Sequence, residues 1–258
     1  MQYKSNFLSD VILRVDFVSP EESLKSELHK DVRNACVEFF PIPEPRTVDT
    51  QHVEIQQEPG KENVISKTER YTEWWYSGKQ GEKKLCIDHS CMFIDYKRYS
   101  SFEVLNKEFF AILTALISNY SQIRVNRVGL RYIDKILLPG TKLSNKSWHS
   151  YWSKYISEYL IRGLSFPDDC SKISRHLNSI EMNYGGYQLR FQYGIFNEDY
   201  PAPNKKNGFI LDTDVYSVGL LEIEDIKSDI DMFHQRAVEW FEKAIKKPLK
   251  EIMNEKKS

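Results

Sequence analysis

The sequence predicts an α+β protein with a mostly antiparallel sheet covered by helices. Short runs that alternate apolar and polar residues recur along the chain and indicate strands. Several of these runs are separated by short glycine-containing turns, which connect antiparallel hairpins. Between the hairpins lie segments with apolar residues at helical spacing. The element order β-α-β-β-β-α occurs twice, and a barrel-like closure of the sheet is a further option.

The first occurrence of this order spans residues 1–121. A capping box from Ser19 to Glu22, with Pro20 at the first helical position, predicts the start of its first helix. Pro41 and the prolines that follow it end that helix. The strands are predicted at residues 11–18, 50–57, 71–77 and 85–96, and a second capping box opens a helix over residues 100–120.

The second occurrence spans residues 122–258. Ser147 predicts the start of a helix with an aromatic stripe, and a last helix begins near Ser228 and is interrupted at Pro248. Both halves open with similar segments, Val-Ile-Leu-Arg and Val-Gly-Leu-Arg, so we predict one pseudo-symmetric unit over residues 1–258. The strands of this half are predicted at residues 125–138, 178–184, 187–193 and 209–218.

The composition excludes several classes of protein. Apolar residues make up 41% of the chain and aromatic residues 13%, which is too many for a disordered chain. The formal net charge of -1 argues against a protein that coats nucleic acid through bulk positive charge. The chain contains no uncharged apolar run of about 18 residues, so we predict that it neither spans a membrane nor begins with a signal peptide.

The four cysteines are ordinary usage for a reduced protein of the cytoplasm, where we place the chain. Cys86, His89 and Cys91 form the run that most resembles a metal site. Side chains alternate along the strand predicted there, so Cys86 faces away from the other two residues. No Cys-x-x-Cys pair completes a tetrahedral zinc site. We therefore predict neither a metal nor a cofactor.

Three segments resemble a family of uncharacterised bacterial proteins of about 250 residues. They are the N-terminal F-L-S-D-V-I-L-R-V-D-F, the central R-V-G-L-R-Y-I-D, and the C-terminal L-D-T-D-V-Y followed by F-H-Q-R-A-V-E-W-F-E-K-A-I. The resemblance extends over nearly the whole chain, and its central segment is the most specific. The family has no established activity to transfer. Its sporadic distribution among genomes implies mobile loci, including those that defend bacteria against phage.

The predicted strand at residues 125–138 places Arg127, Arg131 and Lys135 on one face. Arg14 has the position in the first half that Arg131 has in the second. A pseudo-twofold axis between the halves would direct both arginines into one groove, where their guanidinium groups would bind a phosphate, a carboxylate or an acidic peptide. We therefore predict a ligand site at these four residues. In the alternative interpretation, the arginines pair with carboxylates on neighbouring strands, such as Glu54, Glu181 or Glu222.

Other candidate residues lie outside the basic strand. Asp212 and Asp214 share one strand face and are candidates for Mg²⁺ binding, or they pair with the basic strand instead. Trp74 and Trp75 face opposite ways on a strand, so one of them is a candidate for partner binding unless both sheet faces are covered. The aromatic helix predicted over residues 148–160 is either a partner-binding face or core, and its regular stripe favours the core.

No motif in the sequence identifies a catalytic mechanism. The Walker A, G-x-G-x-x-G, H-E-x-x-H and G-x-S-x-G patterns are all missing, so we predict no catalytic residues. The preferred interpretation is a non-catalytic protein that binds a partner protein or senses a ligand, encoded in a bacterial operon beside an effector that defends against phage. A homo-oligomer is compatible with this interpretation. The alternatives are a metal-dependent phosphoryl-transfer or nuclease enzyme, and a nucleic-acid-binding protein, which is not favoured.

Overall fold

The computed structural model of the protein describes residues 3–58, 61–138, 148–169, 172–202, 206 and 208–254. Helices account for 34% and strands for 39% of the structure, so the prediction of an α+β fold is confirmed. The helices are α1 (Lys30–Phe39), α2 (Phe102–Asn119), α3 (Trp148–Trp152), α4 (Glu158–Ile161), α5 (Ile223–Ala244) and α6 (Lys247–Asn254), and single 3₁₀ turns lie at Glu22–Lys25 and Arg162–Ser165.

One sheet contains the ten strands of the described residues, and its pairing is mostly antiparallel, as predicted. The strands are β1 (Leu8–Phe17), β2 (Ile42–Pro43), β3 (Arg46–Glu58), β4 (Lys61–Ser77), β5 (Lys83–Ile87), β6 (Cys91–Tyr96), β7 (Val125–Leu137), β8 (His176–Asn183), β9 (Gln188–Ile195) and β10 (Gly208–Leu221). Their order is β2-β4-β5-β6-β1-β7-β10-β9-β8, and β3 pairs with β4 beside this path. The sheet is open, so the barrel-like option is wrong.

The chain divides into two compact units. The N-terminal unit comprises Arg14–Asp95 and Ser100–Asn126, and the C-terminal unit comprises Met1–Leu13, Tyr96–Tyr99 and Arg127–Ser258. A duplication of the halves at residues 1–121 and 122–258 stays a prediction. None of the helices in the described ranges is long and apolar enough to cross a membrane.

In the N-terminal unit, the first helix and the strand at residues 85–96 differ from the prediction. Instead of the helix predicted from Ser19, a single 3₁₀ turn forms, and the side chain of Glu21 caps it. Helix α1 begins only at Lys30, with His29 as its N-cap. The strand predicted over residues 85–96 is the hairpin β5–β6. Its turn forms because the Asp88 carboxylate accepts hydrogen bonds from the backbone N–H groups of Ser90 and Cys91, at 2.5 and 2.9 Å.

In the C-terminal unit, the aromatic helix predicted over residues 148–160 ends at Trp152. Ile156 instead forms a bridge with Ile245, and backbone hydrogen bonds of 2.7 Å on either side of the bridge hold the segment extended. Such bonds use backbone groups that a continuous helix needs. The predicted cap at Ser147 lies outside the described residues. Trp148 and Trp152 are fully buried, so both belong to the core.

The last long helix, α5, begins at Ile223 rather than near Ser228, because Glu222 and Asp225 form a reciprocal capping box. Its apolar side packs on β9 and β10, where the ring centroids of Trp240 and Phe191 lie 5.1 Å apart. Helix α3 contributes Trp152 to the same side of the sheet, 5.0 Å from Phe209. Because strand side chains alternate, the opposite side of these strands carries the polar residues described next.

Candidate functional site

Six polar side chains meet on one face of β7, β9 and β10 in the C-terminal unit. We call this surface the polar face. Its two carboxylates are buried, with 5% of Asp212 and 7% of Asp214 exposed, although both are charged residue types. The arginines and a tyrosine from the same three strands surround them. The members of the polar face are Arg127, Arg131, Arg190, Asp212, Asp214 and Tyr216.

The strongest contact in the polar face joins Arg131 to Asp212. The Nε and Nη2 atoms of Arg131 donate to the two carboxylate oxygens, over 2.8 and 2.6 Å. This paired geometry is the one in which guanidinium and carboxylate bind most firmly. The hydrogen bond to Asp212 raises the pKa of Arg131 above its ordinary value. Arg131 therefore follows the alternative interpretation, in which arginines of the strand pair with carboxylates of its neighbours.

Asp214 occupies the centre of the polar face. It stands opposite Arg190 in the β9–β10 register, and Nη2 of Arg190 donates to Oδ2 of Asp214 over 3.1 Å. Burial raises the pKa of Asp214, and the positive charges of Arg127, Arg190 and Arg131 act in the opposite direction. The net direction is upward. A carboxylate so placed needs the surrounding guanidinium groups to stay charged.

Gly129 explains the spacing of the Arg-Val-Gly-Leu-Arg segment. A Cβ atom at this position would lie 3.1 Å from Nη2 of Arg127 and 3.2 Å from Cβ of Tyr216. The missing side chain leaves room for the Arg127 guanidinium, whose central carbon lies 4.8 Å from the ring centroid of Tyr216. A glycine between two arginines on one strand face therefore allows the first arginine to lie flat along the strand.

The other two residues of the predicted ligand site lie elsewhere. Lys135 is further along β7, with its Nζ atom 5.9 Å from the ring centroid of Phe196. Arg14 belongs to the N-terminal unit, where its Nε atom donates to Asp16 over 2.7 Å and its guanidinium lies 5.9 Å from the ring of Phe93. The structure thus joins Arg127 and Arg131 in one cluster. A groove shared by Arg14 and Arg131 stays a prediction.

Trp74 and Trp75 are both half-buried and both have partners inside the N-terminal unit. The indole N–H of Trp74 donates to the backbone carbonyl of Leu24 over 2.8 Å. The indole N–H of Trp75 donates to Glu73 over 2.6 Å, and the Arg46 guanidinium stacks on its ring at 4.3 Å. A partner-binding role for either tryptophan stays a prediction.

The described cysteines are unsuited to nucleophilic chemistry. Cys36, Cys86 and Cys91 are free thiols in the core. Burial raises the pKa of Cys36 and of Cys91 to about 12, so these thiols are protonated at neutral pH. Within the described ranges, no three His, Cys, Asp or Glu side chains are placed to hold a metal ion.

Two residues of interest escaped sequence reasoning. Arg190 belongs to the polar face, and the alternation of its strand was the signal that could have found it. Asp134 lies on the opposite, apolar face of β7, where burial raises its pKa to about 8. The alternation of this strand places Asp134 among its apolar residues, but how deeply it is buried depends on elements distant in sequence.

Comparisons with known proteins do not assign the chain to a family. The sequence matches no model of a known protein family, and no curated protein matches it. The resemblance to a sporadically distributed bacterial family stays a prediction. A function for the chain is therefore inferred from the polar face itself.

Proposed function

We propose that the protein is a non-catalytic ligand-sensing protein whose polar face binds an anionic group. The observation that carries the proposal is the convergence of Arg127, Arg131 and Arg190 on the buried carboxylate of Asp214. A further carboxylate, that of Glu181 in β8, stands opposite Arg190 in the β8–β9 register. The side chains of Arg131 and Arg190 stay 33% and 39% exposed, so a solute can reach them.

The buried carboxylates hold the cations in place for such a ligand. A guanidinium group has five N–H donors in a fixed plane, and the bond to Asp214 engages one nitrogen atom of Arg190. Oxygen atoms of a phosphate or carboxylate accept hydrogen bonds from such a group in pairs. Because Asp212 and Asp214 already orient the arginines, less side-chain entropy is lost when an anion binds.

The same contacts disfavour the enzyme alternative. Metal-dependent phosphoryl transfer needs carboxylate oxygens that coordinate Mg²⁺. Asp212 gives both of its oxygens to Arg131, and Asp214 accepts a hydrogen bond from Arg190. A cation at these carboxylates would have to displace two guanidinium groups. The nucleic-acid alternative has no comparable support, because the chain as a whole has a formal net charge of -1.

In the cell, we propose that this binding informs a partner protein. The three segments that resemble a sporadic bacterial family support a neighbouring effector and a role in defence against phage. Free, buried thiols agree with action in the cytoplasm. Co-purification of the native protein with the product of the adjacent gene tests this part of the proposal. A native protein that elutes alone from its own host would contradict it.

Ligand binding is tested by thermal unfolding with inorganic phosphate, pyrophosphate, ATP, citrate and an oligoglutamate peptide. A ligand at 100 times its dissociation constant stabilises the folded state by about 2.7 kcal/mol, which is readily detected. Arg190→Gln should abolish the shift. Arg70→Gln, which removes an exposed arginine of the N-terminal unit, should leave the shift unchanged. Turnover of ATP with Mg²⁺, lost in Asp212→Ala, would instead support the enzyme.

A further inference from the structure

The hairpin β3–β4 forms a long two-stranded ribbon in the N-terminal unit. The strands pair without interruption from Arg46 opposite Glu73 to Glu58 opposite Lys61. Strand β4 meets β5 only from Trp74 to Ser77. Residues 46–58 and 61–73 therefore form a ribbon about 43 Å long, at a strand rise of about 3.3 Å per residue. Its base packs on the rest of the unit, where Lys25 donates to Glu69 over 2.5 Å and the ring centroids of Tyr71 and His89 lie 4.6 Å apart. A two-stranded ribbon is marginally stable in water by itself, so we expect another surface to pair with it.

The hydrogen-bond pattern shows which groups of β3 face outward. The N–H of Glu44 donates to the carbonyl of Trp75 over 2.7 Å, and these two residues continue the register of the ribbon. Even-numbered residues of β3 therefore turn their backbone groups toward β4. Odd-numbered residues turn their N–H and C=O groups toward the outer edge of the ribbon. The described side chains at these positions, those of Thr47, Asp49, Gln51 and Val53, are all exposed.

The two edges of the ribbon differ in their protection against pairing. Natural edge strands are protected by charged side chains, above all lysine, and by proline or bulges. Strand β3 carries charged residues such as Arg46 and Asp49. The other strand of the ribbon, β4, carries Lys61, Lys67 and Arg70 in the part that pairs with β3. The sequence of β3, Arg-Thr-Val-Asp-Thr-Gln-His-Val-Glu-Ile-Gln-Gln-Glu, contains neither lysine nor proline and no glycine. Among the described strands, β4 is its only neighbour. The edge of β3 is therefore the one suited to receive another strand.

We propose that β3 pairs with β3 of a second copy of this chain, antiparallel about a twofold axis. Complete overlap of the 13 residues places His52 on the axis and Arg46 opposite Glu58 of the other copy, at both ends. Opposite charges in facing positions stabilise a sheet. In this register Asp49 faces Ile55 and Thr50 faces Glu54, so no like charges of the acidic and basic residues face each other.

A second copy fits this edge better than another class of partner. The outward groups of the two strands would form about twelve backbone hydrogen bonds and a four-stranded sheet. The chain has a formal net charge of -1, so two copies repel each other little. The ribbon carries acidic and basic residues together, among them the exposed pair Arg70 and Asp49, which does not suit a polyanion such as nucleic acid.

Sedimentation velocity of the full-length protein, over roughly 1 to 100 µM, tests the proposal. We expect a dimer for the wild-type chain in this range, because pairing satisfies the outward backbone groups of both β3 strands. Val53→Pro removes an outward N–H from the β3 edge and should yield a monomer, or raise the dissociation constant at least tenfold. Thr68→Pro is the matched control, since Thr68 lies in β4 with its N–H toward the other edge. It should remain a dimer.

A second variant covers the case in which proline disturbs folding. The double substitution Gln51→Lys with Val53→Lys keeps every backbone N–H and brings positive charges opposite each other on both sides of the axis. It should also dissociate the dimer while far-UV circular dichroism stays unchanged. A wild-type chain that is monomeric at 100 µM would overturn the proposal. A dimer that survives the double substitution, or that Thr68→Pro disrupts equally, would overturn it too.

Discussion

Two arginine–aspartate pairs of nearly the same geometry have opposite surroundings in this protein. Arg131 binds Asp212 on the polar face over 2.8 and 2.6 Å, and Arg70 binds Asp49 on the ribbon over 2.6 and 3.1 Å. Side-chain exposure is 33% and 6% in the first pair but 73% and 50% in the second. The same chemical contact therefore holds a buried cluster together in one region and contributes little to stability on a solvated strand in the other.

Asp212→Ala should have the largest effect, because it leaves Arg131 without its partner beside the core. Breaking a buried ion pair costs about 3–5 kcal/mol, and the partial exposure of Arg131 reduces the expected loss to about 2 kcal/mol. The measurement is the free energy of unfolding in urea. A loss no greater than that of Asp49→Ala would show that burial does not separate the two pairs.

The carboxyl group of Asp134 has a raised pKa, and burial is the cause. Its carboxyl stays protonated in the folded protein up to a pKa of about 8, whereas in the unfolded chain it ionises near pH 4. The folded state should therefore lose stability as the pH rises between these values, by at most about 1.4 kcal/mol per pH unit.

Asp134→Asn should remove this pH dependence. Urea unfolding of both proteins between pH 4.5 and pH 8 measures the difference in slope. Parallel curves for the wild-type chain and the variant would contradict the raised pKa. Asp212, whose carboxylate is paired with Arg131, provides the contrasting environment on the opposite face of the sheet.

Gly129→Ala should cost about 1 kcal/mol, because its new methyl group would press on Arg127 and Tyr216 within the polar face. The flexible guanidinium can move more easily than the Cβ of Tyr216. Gly186→Ala is the matched control, since nothing lies within 4 Å of a Cβ atom there. Equal unfolding midpoints for the two variants in urea would argue against close packing around Gly129.

Asp49→Ala on the ribbon should have the smallest effect. Both side chains of this pair are solvated, and salt screens their attraction. We expect the urea midpoint to match that of the wild-type chain at 0.15 M salt. A clear loss of stability would show that this pair contributes more than a solvated contact does.

The two regions also differ in how far the sequence could predict them. Period-two alternation located β7 and β10, and therefore the faces that carry Arg131 and Asp212, because alternation depends only on local backbone geometry. The partners of these residues depend on strand order, which no local pattern contains. Arg190 was missed for that reason, since it joins the polar face only through its register with Asp214.

The ribbon was underestimated for a different reason. Its strands were predicted at residues 50–57 and 71–77, whereas β3 and β4 cover Arg46–Glu58 and Lys61–Ser77. Both faces of an exposed ribbon carry polar residues, so its ends lack the contrast between apolar and polar positions that marks a strand. The helix predicted over residues 148–160 is too long, because Ile156 forms a β-bridge with the distant Ile245 instead of helical hydrogen bonds.

The central claim, that the polar face binds an anionic group, is tested most directly by the side-chain NMR signals of the arginines. Inorganic pyrophosphate is titrated into ¹⁵N-labelled protein, and the Nε–Hε resonances of individual arginines are followed. We expect the signals of Arg127 and Arg190 to shift and saturate while that of Arg70 stays fixed. Unchanged signals on the polar face, or shifts of equal size at Arg70, would contradict the claim.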